Sequence, residues 1–182
     1  LPKIYSGEPH VPDLTGYLLV TLPAQEIPGH GHATFYLAPK TSEDTIPSTP
    51  TFSITQKDEV YSIENPFIRL RISTRNGSIN LYHKPTRKEY TNLHVFEDTG
   101  DIGDEYTYCP PAQDSCVTTQ ETPNTRISIL EEGPITSSIL ISTRIKVPKE
   151  ILANRRRRSS QIVTIPIQSL ITVSAYSPRV RL

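Results

Sequence analysis

"PITSSILISTRIKVP", residues 134–148, alternates with a period of two. Ile135, Ile139, Ile141, Ile145 and Val147 share one parity, while Thr136, Ser138, Ser142, Arg144 and Lys146 share the other. Successive side chains of a strand point to opposite faces, so the pattern predicts one buried and one wet face. The run is long enough to bend or to cross two sheets. A second run, "NPFIRLRIST" (residues 65–74), sets Ile68, Leu70 and Ile72 against Phe67, Arg69 and Arg71. "RNGS" follows, and Asn-Gly is a strong hairpin signal because both central positions favour positive φ. "INLYHK" (79–84) then returns as the partner strand.

Working outward, residues 17–22, 34–38, 126–130, 162–167 and 171–175 read as further strands. No comparable stretch keeps a helical 3.6 period, and the one predicted helix is short, around residues 149–158. Seventeen prolines and eight glycines punctuate these runs, which suits a mainly-β domain. The composition shifts at "APKTSEDTIPSTPTF" (38–52), rich in Pro, Ser and Thr. That places a linker at 41–52, between a small β-module at 1–40 and a larger β domain at 53–182. About 40 residues bury too little to form a core alone.

The chain has 182 residues, 35% hydrophobic and 21% charged, with formal net charge zero. Neutrality argues against nucleic-acid binding, which leaves a basic footprint. No run of about 18 apolar residues exists to cross a membrane as a helix. "LPKIYSGEPH" has neither the basic nor the apolar region of a signal peptide. Two cysteines, Cys109 and Cys116, make no disulfide framework; a local bridge between them is geometrically open, with reduced thiols the expected state. The sequence contains no methionine, so the chain reads as a fragment, a processed product or a cut domain.

"FEDTGDIGDEYTYCPP" (96–111) crowds Glu97, Asp98, Asp101, Asp104 and Glu105 among two glycines, two tyrosines and a double proline. A calcium loop alternates its oxygen ligands and ends on a bidentate Glu. Here the acids are spaced by three, and Cys109 stands twelfth from Asp98. A carboxylate pair for glycoside hydrolysis, ~5–10 Å apart, is chemically open, but a charged surface turn explains the same residues. His30 and His32 in "PGHGHATF" share one side of an extended chain, yet lack the further ligands of a zinc site; a loop entering a strand is the plainer reading. His83 and His94 stand isolated. "NRRRRSSQ" (154–161) reads as a solvated loop or a surface for an acidic partner. Neither cysteine has a Cys-His context, and there is no G-x-S-x-G elbow. The residues alone show no complete catalytic constellation.

Several pieces together resemble family 38 glycoside hydrolases, the α-mannosidases. "IENPFIRLRISTRNGSINLYHKPTRKEY" (63–90) is similar to the entry of their β-sandwich region, with Asn65, Gly77 and Lys84 where that pattern wants them. "FEDTGDIGDEYTYCPP" resembles the following segment of bacterial members. The close, "RRRRSSQIVTIPIQSLITVSAYSPRVRL", resembles their later strands, and "LPAQEIPGHGHATFYLAP" the short β-module before the sandwich. The family's zinc ligands and nucleophilic Asp belong to an amino-terminal α/β domain that nothing here matches.

The resemblance implies an antiparallel β-sandwich of the galactose-mutarotase-like supersandwich kind, preceded by the small β-module and incomplete within this chain. It implies the non-catalytic part of a retaining α-mannosidase, cytoplasmic, with no activity expected of the chain alone. Zinc is expected in the parent's catalytic domain and no cofactor in this chain. The implied partners are an α-mannoside, the catalytic domain of the same polypeptide and a second parent copy in a homodimer, with no nucleic acid and no membrane. Tyr106 stands where related enzymes present a tyrosine to the sugar. Asp101 and Asp104 either hydrogen-bond sugar hydroxyls or brace the loop. A tyrosine suits a sugar, offering an apolar ring face and a directional hydroxyl. Two rivals remain: a free-standing carbohydrate-binding sandwich, poorly supplied with aromatic platforms at no Trp, nine Tyr and four Phe, and a sandwich serving only as an assembly surface.

Overall fold

The computed structural model describes residues 22, 24, 27, 29–36, 52–121 and 125–182. The chain divides into two units, Leu1–Thr34 and Phe35–Leu182. Of the first, Gly29 and His30 form a turn, His30 with a φ of 60°, and His30 and His32 are exposed. The strand expected at 34–38 is absent from residues 34–36, and 37–38 lie outside the described residues. Of the strand expected at 17–22, residue 22 shows no strand and 17–21 lie outside the described residues, as do most of the β-module and the linker up to residue 51.

The second unit is built from antiparallel strands. β1 (Ser53–Lys57), β2 (Val60–Glu64), β3 (Ile68–Ser73), β4 (Ile79–His83) and β5 (Lys88–Leu93) form one five-stranded sheet in chain order. β6 (Glu97–Asp98) and β7 (Val117–Thr118) make a two-stranded ribbon, followed by a single 3-10 turn at Thr119–Glu121. β8 (Arg126–Glu132), β9 (Thr136–Pro148), β10 (Ile162–Ser174) and β11 (Val180–Arg181) form a second sheet in the order β11-β10-β9-β8. The two sheets share one core: Ile63, Ile68, Leu70, Ile72 and Ile79 of the first meet Ile139, Ile141, Ile171 and Val173 of the second. This unit is a mainly-β antiparallel sandwich.

The period-two reading of β9 holds residue by residue. Ile139, Ile141, Ile145 and Val147 are buried, and Ser137 and Thr143 of the same parity go in with them. β3 likewise buries Ile68, Leu70 and Ile72 and exposes Arg69 and Arg71. Phe67, on the polar parity, lies before the strand begins and packs against the core.

Three expectations need correction. The β3–β4 turn spans residues 74–78 and only Gly77 is left-handed, with φ 74°. The Gly77 amide closes on the Ser73 carbonyl at 2.9 Å and the Ser73 amide on Ser78 at 2.9 Å, while the Asn76 side chain accepts from the Ser78 amide. Asn-Gly thus ends a wider turn than the two-residue type. The left-handed φ favours glycine at Gly77, and the space is tight as well, since an added Cβ would lie 3.1 Å from Ile141 Cγ2. The two strands expected at 162–167 and 171–175 are one. Residues 168–170 continue the pairing, Gln168, Ser169 and Leu170 facing Ser142, Ile141 and Leu140. Pro166 is accommodated because, among the described residues, β11 covers only Thr172 and Val173 on the far side of the strand. Finally, residues 149–158 form no helix. Arg155 takes a φ of 55°, Asn154 Oδ1 accepts from the Arg156 amide, and Ile151 bridges to Arg158, folding the segment into a loop.

Asn65, buried with 2% exposure, ties the two sheets together. Its Oδ1 accepts from the Phe67 and Ile68 amides at 2.8 and 2.7 Å. Its Nδ2 donates to the carbonyls of Ser174 and Ser177 at 2.8 and 3.1 Å. Lys84 Nζ donates to the Asn65 carbonyl at 2.6 Å and pairs with Glu64 at 2.7 Å. The Asn…Gly…Lys spacing is therefore one folding device: an inter-sheet staple, a turn with no room for a side chain, and a lysine that fixes the staple's backbone.

Candidate functional site

The ribbon hangs from the β3–β4 turn. His94 donates through Nδ1 to the Gly77 carbonyl, 3.0 Å away, and stands edge-on to Phe96. Asn76 Nδ2 reaches the Gln120 carbonyl at 3.2 Å. The Phe96 amide donates to the buried Thr119 hydroxyl at 3.0 Å. Between β6 and β7 the chain projects as a loop, residues 99–116, and this loop carries Tyr106, Asp101 and Asp104 together.

Asp101 and Asp104 are first of all braces. Asp101 Oδ1 accepts from the Gly103 amide at 2.8 Å and the Cys109 amide at 3.0 Å. Asp104 Oδ1 accepts from the Tyr106 and Thr107 amides at 3.0 and 2.8 Å. Short polar side chains that bond the backbone two or three residues on favour turns in this way. The Cys109 and Gly103 amides hold the Asp101 carboxyl below its ordinary range, and those of Tyr106 and Thr107 do the same for Asp104. The Ile102 amide closes the loop onto the Cys109 carbonyl at 2.7 Å. Gly103 sits where a Cβ would overlap the Thr107 carbonyl oxygen, so only glycine fits this close approach. Tyr106 gains no cover from any of this: it is 89% exposed. Tyr108 is exposed too, its hydroxyl 3.3 Å from Thr99 Oγ1.

The arginine run is the loop's mount. Arg155 Nη2 donates to the Ile102 carbonyl. Arg158 Nε donates to Asp114 Oδ1 at 2.6 Å, Nη1 pairs with Asp98, and Nη2 donates to the Ser115 carbonyl at 2.5 Å. The Gln113 amide donates to the Arg156 carbonyl at 2.9 Å, and Gln113 bridges Arg157 in parallel. Of the run "NRRRRSSQ", Arg155, Arg156 and Arg157 are exposed on a loop, and Arg158 meets carboxylates of the same chain. Burial alone would raise the Asp114 carboxyl, but the Gly100 amide and the Arg158 guanidinium together hold it below the usual carboxylate range. A shallow groove flanks this clamp, lined by Gln113, Asp114, Ser115, Arg157, Arg158 and Ser159.

The sequence reading did not single out Asp114, and it read Arg155 and Arg158 only as members of a charge run. The available signal was complementarity, a run of four arginines and a run of acids in a chain of zero net charge. Cys109 and Cys116 are free and exposed. Among the described residues no three His, Cys, Asp or Glu side chains come together as a metal site. No helix among them is long and apolar enough to cross a membrane.

Residues 63–182 match the sequence profile of the Glycosyl hydrolases family 38 C-terminal domain. The chain belongs to glycosyl hydrolase family 38. This family 38 domain is 30% identical over 105 residues to a Halalkalibacterium halodurans protein named as a mannosylglycerate hydrolase, a match covering 58% of this chain and 12% of that protein. Its fold is similar to that of an α-mannosidase from Enterococcus faecalis V583, with a TM-score of 0.63, 26% identity, and coverage of 70% of this chain and 16% of that one. A second Enterococcus faecalis structure, of a family 38 glycosyl hydrolase, matches with the same score and identity over 70% and 17% of the two chains. The family 38 domain therefore spans a small part of each relative's length.

Proposed function

We propose that this domain supports the catalytic domain of an α-mannosidase-type retaining glycoside hydrolase and lends the 99–116 loop to the rim of its sugar pocket. One observation carries the reading: Tyr106 is almost wholly exposed on a loop whose backbone is braced from within by two aspartates and from below by two arginines. A flexible surface turn needs neither brace, and an exposed aromatic ring gains nothing from folding. A binding site needs both, because holding a contact in place beforehand removes the entropy cost at the moment of binding.

In this reading Tyr106 gives the sugar its ring face and one hydroxyl hydrogen bond. Asp101 and Asp104 use only Oδ1 within the loop among the described residues, which leaves Oδ2 of each for a sugar hydroxyl. Bond cleavage belongs to carboxylates, and zinc binding to ligands, of a catalytic α/β domain outside this chain. The relatives' names, an α-mannosidase and a mannosylglycerate hydrolase, support a mannosyl substrate. The test is Tyr106→Phe in the full-length hydrolase with an aryl α-mannoside. One lost hydrogen bond to an uncharged group lowers kcat/KM by about five- to tenfold; an unchanged kcat/KM removes Tyr106 from the site.

A further inference from the structure

Arg158 is placed to do more than neutralise charge. Asp98, the last residue of β6, is one foot of the 99–116 loop, and Asp114 with Ser115 is the other. A single planar guanidinium, its side chain 7% exposed, engages all three. Asp114 completes the clamp by accepting from the Gly100 amide through Oδ2 at 2.6 Å. The Arg158 stem lies so close that a Cβ on Gly100 would stand 3.0 Å from its Cδ. Three residues earlier, Arg155 holds the Ile102 carbonyl, within the first of the two Asp-braced turns that lead to Tyr106. Apolar packing stabilises as well as a buried ion pair does. What the guanidinium adds is direction, because its donors lie in a fixed fork that an ammonium cannot reproduce.

We infer that Arg158 is a positioning residue for substrate recognition, acting through Asp98 and Asp114 to fix where Tyr106 is held. The inference rests on the reading above, that Tyr106 meets the sugar. Arg158→Lys keeps the charge but spans at most one foot of the loop, so it releases Tyr106 without emptying the pair of its cation. In the full-length hydrolase, with an aryl α-mannoside, it lowers kcat/KM about tenfold, a cost typical of a displaced contact. The decisive readout is a cycle with Tyr106→Ala. If Arg158 works through Tyr106, Arg158→Lys costs nothing further once the tyrosine is gone.

A full additional loss in the double variant, or no loss from Arg158→Lys alone, overturns the inference and leaves the pocket reading standing. An unchanged kcat/KM in Tyr106→Ala overturns both, because nothing remains to be positioned. Should Arg158→Lys fail to accumulate folded, Asp98→Asn frees the same foot without disturbing Asp114 and enters the same cycle with the same expected coupling.

Discussion

Asn65 shows how much one residue does in this fold. Four hydrogen bonds converge on a side chain that is 2% exposed, two of them crossing to the other sheet. Asn65→Ala leaves buried amides and carbonyls without partners, a cost of about 3 kcal/mol. The expected thermal midpoint of this chain falls by about 6–12 °C; a shift under a degree would mean that water replaces the staple. Glu64 beside it is held down to about 2 from the ordinary 4.5, first by its hydrogen bond with Arg69 and then by that with Lys84. A depressed carboxyl stabilises the fold above its unfolded value and loses that contribution as pH falls through its folded value. Stability should therefore drop between pH 4.5 and about 2. Glu64→Gln should flatten that slope, and an unaltered pH profile would show the pair to be idle.

At the scale of elements, the 99–116 loop is held by polar groups, so acid should loosen it first. Asp101, Asp104 and Asp114 all titrate below their ordinary range. Their braces are fully present above about pH 4 and vanish as pH falls through the depressed values. Pepsin should then cut within residues 99–116 as pH falls below the ordinary carboxylate range while leaving β9 and β10 intact; uniform cleavage of the sandwich would contradict this. Gly103→Ala should open the same loop at neutral pH, read as faster amide exchange at Gly100 and Cys109. The sequence announced the loop's residues but hid its mount. Asp114 and Arg158 stand 44 positions apart, and no local pattern joins them. β1, β2 and β5 were missed for a related reason: none alternates between buried and exposed, β5 being exposed at every position and β2 half-buried at all but Ile63. β6 and β7 are two residues each, too short for any period.

On the scale of the whole molecule, the sandwich was legible wherever a strand has one wet face. Ile68, Leu70, Ile72, Ile139 and Ile141 declare the core by parity, and the structure buries all five. The break expected between 167 and 171 is not there, because Gln168, Ser169 and Leu170 stay paired with Ser142, Ile141 and Leu140 of β9. Ile141 lies at the sheet–sheet contact with no exposure, so Ile141→Ala should cost about 2–5 kcal/mol and lower the urea midpoint in proportion. An unchanged midpoint would mean that the sheets do not share that core. The function proposed for it is a division of labour, a β scaffold presenting Tyr106 to a surface of another domain. The measurement that bears on this most directly is a crystal structure of the full-length hydrolase with bound mannose. The expected result is the Tyr106 hydroxyl within about 3 Å of a sugar oxygen, the loop still seated on Arg158. A loop facing open solvent, far from the sugar, would contradict it.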